Sequence, residues 1–271
     1  MSDIVLSAGV RSNLLNLQQT ADLMSTTQTR LATGKRVNSA LDNATNFFTA
    51  QGLSNRATDL SGLLDSMSTA VNTIQAANNG ITSVTKLVQS AQALASQALQ
   101  TSDTTVRAGL ATQYGAILTQ IDQLAGDSGF NGINLLKSGD SLKVVMNESG
   151  SSSITVSGVD FSSNGLGAQA ATNNWASSTD IGTANTQLTG ALTKLRAQSQ
   201  TFGSNLTTVQ IRQDFTKAMI NTLQTGSDAL TLADSNEEGA NLLALQTRQQ
   251  LSTTALSLAS QSRQAVLRLF G

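Results

Sequence analysis

The sequence predicts a mainly α protein: an elongated helical bundle with coiled-coil paired N- and C-terminal helices and a small β-hairpin insert. Three observations predict it. The 271 residues include no proline, and because an interior proline costs a helix about 3 kcal/mol, long uninterrupted helices are open to this chain. From Leu60, alternating steps of three and four residues meet Leu63, Met67, Ala70, Ile74, Ala77, Ile81, Val84, Val88, Ala91, Ala95 and Ala98. All are apolar, which is the 3.5-residue period of a helical seam. Across residues 126–182 that period stops, and Gly, Ser and Asn dominate.

The elements follow in chain order. A first helix steps through Val10, Leu14, Leu17, Ala21, Met24, Gln28 and Leu31. Gly34 ends it, and Ser39 with Asp42 is expected to form a reciprocal cap for the next helix. That second helix carries the seam from Leu60 to Ala98, on the order of 60 Å at 1.5 Å per residue. A shorter segment shows Val106, Leu110, Ile117 and Leu124. In the insert, Asn131-Gly132 signals a tight turn. Residues 141–146 and 154–159 read as two strands around a Ser/Gly turn at 147–153. A return helix follows Leu188, Ala191, Leu195, Gln198, Phe202, Asn205 and Val209, continuing through Met219, Leu223 and Leu230. The last helix steps through Leu251, Ala255, Leu258, Ser262, Ala265 and Leu269. The chain thus divides into an N-terminal helix and junction (1–44), a long helical hairpin (45–125), a short β insert (126–182), a return helix (183–234) and a C-terminal helix (235–271).

Composition removes most chemistries. With no Cys and no His, there is no zinc finger, disulfide framework, thiol nucleophile or imidazole base. A net charge of −1 with only 12% charged residues argues against nucleic acid, which needs clustered Lys and Arg. No apolar run approaches the roughly 18 residues of a membrane span. Ile4-Val5-Leu6 is too short for the apolar core of a signal peptide, so no cleaved signal is expected. Asp234, Glu237 and Glu238 sit close enough for paired-carboxylate acid–base work. Charges on such a helix face are commonly solvated or paired, and no other catalytic group accompanies them, so no catalytic residue is expected. Residues 162–167 are Gly-rich but lack the Lys-Ser/Thr ending of a phosphate loop. No cofactor and no metal are expected.

Two stretches break the heptads in a specific way. Leu31-Ala32-Thr33-Gly34-Lys35-Arg36-Val37-Asn38-Ser39-Ala40-Leu41-Asp42-Asn43-Ala44 resembles the junction motif of bacterial flagellins. Its matching positions are Gly34, Arg36, Asn38, Ser39, Ala40, Asp42 and Ala44. The C-terminal run from Leu256 through Gln261, Gln264, Ala265, Val266, Leu267 and Leu269 to Phe270 is similar to the flagellin ending. Residues 130–136 and 232–240 agree as well. Arg263 stands where the family usually carries Pro, and Ser260 where it often carries Asn, which extends the terminal helix.

The resemblance implies a structural subunit that polymerises with itself into the helical flagellar filament. Residues about 1–35 and 235–271 would order on assembly, burying Val10, Leu14, Leu17, Met24, Leu31, Leu251, Ala255, Leu258, Ala265, Val266, Leu269 and Phe270. It also implies an export chaperone, the flagellar type III export apparatus, a filament cap and hook-junction proteins as partners, and an extracellular place in the filament. The short insert implies a thin filament. Many flagellins carry an L-Q-R-I/V-R-E-L face that the flagellin-sensing Toll-like receptor binds. Here Ser90, Gln92 and Ala93 replace its charged positions, which implies poor detection. Two other readings stand beside this one: a hook–filament junction protein with similar ends, and a chemoreceptor-like signalling rod, which would need a membrane span or sensory domain.

Overall fold

The computed structural model describes residues 8–270, with side chains omitted at Arg263 and at 266–270. It is mainly helical with one two-stranded sheet, as the sequence predicts. The elements are α1 (Ala8–Thr33), α2 (Ala44–Leu99), α3 (Thr104–Asp127), β1 (Ser141–Val145), β2 (Ser153–Ser157), the single-turn α4 (Ser163–Leu166), α5 (Ser178–Thr231) and α6 (Ser235–Phe270). Two compact units result, Met1–Asn55 with Thr222–Gly271, and Arg56–Asn221. Both α2 and α5 pass through the unit boundary.

The central unit holds the main core. The α2 seam is as expected: Met67, Ile74, Val84, Val88, Ala91, Ala95 and Ala98 are fully buried. Across from them lie Ile181, Leu188, Leu195, Phe202 and Val209 of α5. Asn78 meets Ser199 (3.3 Å) and Ser68 meets Gln213 (3.0 Å), so the two helices run antiparallel. On α3 the buried face is Leu110, Tyr114, Leu118, Ile121 and Ala125. The expected Ile117 and Leu124 only flank the core, and Val106 faces solvent. That stepping follows the 3.6-residue turn of a straight helix rather than a 3.5-residue seam.

Asp103 caps α3 through Thr105 N–H (2.8 Å) and Val106 N–H (3.3 Å). Arg107 braces the α2–α3 turn by donating to the carbonyls of Ala98 (3.2 Å) and Thr101 (2.7 Å).

The insert folds onto this core. β1 and β2 pair antiparallel with Leu142 opposite Val156 and Val144 opposite Ile154. Alternation then turns Leu142, Val144, Met146 and Val156 inward, where they join Leu135, Leu136, Phe161 and Trp175 in one cluster. The turn between the strands is tied by Asn147, whose Oδ1 accepts from Ser152 N–H at 2.9 Å. Asn131 and Gly132 both take positive φ, 49° and 81°, the paired geometry of a tight hairpin turn. Buried Asn134 donates to the last carbonyls of α3, Ala125 (2.8 Å) and Gly126 (2.9 Å), and so fixes the loop to the helix end.

Candidate assembly surface

In the terminal unit α1 and α6 lie side by side and antiparallel. Arg30 reaches Glu238 at 3.0 Å, while Asn16, Thr20 and Leu23 line one groove with Arg248 and Ser252. Numbers fall along one helix as they rise along the other.

The seam between them matches the stripe read from the sequence only in part. On α1 the residues withdrawn from solvent are Val10, Asn13, Leu17, Thr20, Met24, Thr27 and Arg30; on α6 they are Glu238, Gly239, Leu242, Leu245, Gln249, Ser252, Leu256 and Ala259. Val10, Leu17 and Met24 therefore do face the partner helix. Leu14 and Leu31 do not, and Ala21 and Gln28 are exposed as well. On α6, Ala255 and Ala265 are exposed, and Leu251 and Leu258 are 66% and 67% exposed. The side chains of Val266, Leu269 and Phe270 lie outside the described residues. Threonine explains the shifted register. The hydroxyl of Thr20 donates to the carbonyl of Asn16 at 2.7 Å, four residues back, and what remains is nearly as apolar as valine. Leu15 and Leu243 join Leu14, Leu31, Leu251 and Leu258 on the outward faces.

The junction motif builds a compact knot. Gly34 takes φ +68°, a conformation costly for residues with a Cβ. Its carbonyl accepts from Ala233 N–H at 3.0 Å, and the carbonyl of Thr231 accepts from Arg36 N–H at 2.7 Å and Val37 N–H at 3.2 Å. Lys35 and Leu232 thus form a one-residue antiparallel bridge. Asp42 is not the helix cap expected of it. Its Oδ2 accepts from the backbone N–H of Asn38 and of Ser39, both at 2.9 Å, and from the Ser39 hydroxyl at 3.2 Å. Those N–H groups of Ser39 and then Asn38 hold the Asp42 carboxyl below its ordinary range. Asn43 does the capping, accepting from Asn46 N–H at 3.0 Å. Asn38 donates to the Lys35 carbonyl at 2.9 Å. Ala40 is half-buried, Arg36 and Ala44 are exposed, and Leu41 is almost wholly exposed.

The acidic trio at 234–238 serves the same architecture. Asp234 caps α6 through Asn236 N–H at 2.8 Å, Glu237 is exposed, and Glu238 is spent on Arg30. Among the described residues no group of three or more His, Cys, Asp or Glu is placed to hold a metal ion. No helix among them is long and apolar enough to cross a membrane.

Charged groups that cap and tie helices, around faces that carry leucine outward, define a structural helical protein. A family model described as the bacterial flagellin N-terminal helical region matches residues 8–140. Flagellin FljK of Caulobacter vibrioides is 30% identical over 277 residues, spanning 100% of this chain and 99% of that protein. The flagellin of Escherichia coli is 27% identical over 218 residues, 74% of this chain and 42% of that one. The crystal structure of Bacillus cereus flagellin matches with a TM-score of 0.48 at 22% identity, over 57% of this chain and 88% of that one. This chain belongs to the bacterial flagellins, the structural subunits of the flagellar filament. None of these relatives favours the hook–filament junction reading.

Proposed function

We propose that this chain polymerises with copies of itself into an extracellular flagellar filament that serves swimming motility. The arrangement of α1 and α6 carries the reading: Asn13, Thr20, Thr27, Gln249 and Ser252 point into the seam, while Leu14, Leu15, Leu31, Leu243, Leu251 and Leu258 point out of it. A helix pair with leucine outside is one that another molecule must cover. In this proposal residues 1–44 and 235–271 form the inner core, 45–125 and 183–234 the surrounding bundle, and 126–182 the outward insert. The junction residues Gly34, Arg36, Asn38, Ser39, Ala40, Asp42 and Ala44 set where the inner core begins. A seam in which Val10, Leu17, Met24, Leu242, Leu245 and Leu256 are only half-buried and alternate with polar residues gives the isolated pair little burial to offset its conformational entropy, so the pair orders as subunits stack, coupling folding to assembly. A head-to-tail contact that does not close generates an open helix. Export through the flagellar type III apparatus with a chaperone, growth beneath a cap, and joining to hook-junction proteins complete the scheme.

Purified chains seeded with sheared filament fragments test this, read by electron microscopy and sedimentation. The full chain should elongate the seeds and a chain lacking 8–33 should not. Filaments from the truncated chain, or none from the full one, overturn the proposal.

A second reading concerns α2. Ser90 and Ala93 are exposed, and Gln92 is turned toward Thr189 at 3.4 Å. With no charge at positions 90, 92 and 93, this face lacks the ion pairs those positions would offer the flagellin-sensing Toll-like receptor, so detection is weak. Strong reporter activation at nanomolar protein would refute that.

A further inference from the structure

The inner faces of α1 and α6 specify which sides meet without specifying how far along. On α1 the pattern repeats every seven residues as one apolar and one polar position: Val10 with Asn13, Leu17 with Thr20, Met24 with Thr27. Sliding α1 one heptad, about 10 Å, replaces Val10 by Leu17, Asn13 by Thr20, Leu17 by Met24 and Thr20 by Thr27. Apolar burial barely changes, so burial alone cannot choose among registers.

One contact can. Among the described residues a single ion pair joins the two helices, Arg30 to Glu238 Oε1 at 3.0 Å. The Glu238 side chain is 8% exposed, against 32% for Arg30, and its other oxygen, Oε2, has no hydrogen-bond partner. The carboxylate thus depends on one guanidinium. In an antiparallel pair, a one-heptad slip of α1 takes Arg30 about 10 Å from Glu238. It brings Leu23 opposite Glu238 in one direction and residues past the helix end at Thr33 in the other; Leu23 cannot neutralise it. Leaving a buried carboxylate uncompensated is far more costly than any change in apolar contact. A single buried polar group fixes the register of coiled coils in the same way. The backbone bonds of Gly34, Arg36 and Val37 to Ala233 and Thr231 tether the chain at this end, so a slip must open them as well as the ion pair.

We propose that Arg30 and Glu238 form the register pin of the terminal helix pair, and that subunits lacking it assemble slowly because their arms pair out of step. This rests on the filament reading above.

The test compares wild type, the apolar pair Arg30→Met/Glu238→Leu and the reversed pair Arg30→Glu/Glu238→Arg, each added to wild-type seeds. The chain's lack of cysteine permits disulfide trapping within pelleted polymer. Thr20→Cys with Ser252→Cys reports the native register, since both positions line one groove. Thr27→Cys with Ser252→Cys reports a one-heptad slip. Wild type should trap the first pair alone. The apolar pair, which keeps the helices together, should trap both and elongate at least roughly tenfold more slowly. The reversed pair should recover both readouts.

If the apolar pair elongates like wild type and traps only the native register, the pin is refuted and the filament reading stands. If wild type itself fails to elongate, the filament reading falls instead, while trapping on the single chains still reports whether the pin sets register.

Discussion

Replacing Leu251 and Leu258 together by Ser should raise the concentration of subunits left unpolymerised at steady state, without weakening the folded chain. Both leucines already stand 66% and 67% exposed, so the single chain has little to lose. Burying a leucine side chain completely is worth about 1.5–3 kcal/mol. Two-thirds of that, about 1–2 kcal/mol, is still to be gained at each position when a neighbouring subunit covers it. The two positions together hold about 2–4 kcal/mol, which at about 1.4 kcal/mol per decade corresponds to a roughly thirtyfold to seven-hundredfold rise in critical concentration. The assay is the protein remaining in the supernatant after seeded growth and sedimentation. Thermal unfolding of the depolymerised variant serves as the control and should match wild type. An unchanged supernatant concentration, with the fold intact, would mean that these leucines stay in water within the filament, and the reasoning from their exposure would be wrong.

Three further outcomes follow. Phe202→Ala empties a fully buried site in the central core and should cost about 3–5 kcal/mol in chemical denaturation. Gly34→Ala meets open space around the new Cβ but keeps φ near +68°, so its cost is backbone strain of about 1–2 kcal/mol. Hydrogen exchange should accelerate at the amides of Arg36, Val37 and Ala233, and unchanged protection there would refute the strain argument. Burial pushes the Tyr114 phenol up to about 12 from 10.0, and its hydroxyl donates to the Gln169 carbonyl at 2.9 Å. An unfolded tyrosine ionises first, so stability holds below about pH 10 and declines as pH climbs from there toward 12. Ultraviolet titration of this single tyrosine reads the value directly.

How much of this was legible depended on whether burial and hydrophobicity point to the same residues. Along α2 they do, and every seam position read from the sequence but Leu63 is buried outright, Leu63 lying partly covered against the core. The hairpin was legible for a similar reason, because Val and Ile alternate between turn residues. In α1 and α6 the two criteria separate. The stripe read on α1 crosses between faces, taking inward Val10, Leu17 and Met24 together with outward Leu14 and Leu31, and on α6 it follows the exposed Leu251 and Leu258. Only the back-bonded hydroxyl of Thr20 makes a polar residue cheap to bury, and that is a property of the folded helix. Arg30 and Glu238 lie 208 positions apart, with no pattern linking them. Tyr114, Leu118 and Ile121 were missed because α3 packs as an ordinary helix on a core it does not lead. At the junction, the residue types were right and one role was misplaced, since the turn consumes Asp42 and leaves capping to Asn43.

The chain's single tyrosine and single tryptophan lie against each other, ring centroids 4.9 Å apart, in the central unit. The terminal unit has only phenylalanines, Phe47 and Phe48 among them, which contribute almost nothing at 280 nm. Intrinsic fluorescence therefore watches one half of the molecule and is blind to the other. Growth of a polymer through its terminal arms would leave that signal flat, and kinetics must be followed by scattering or by a dye attached to α1 or α6.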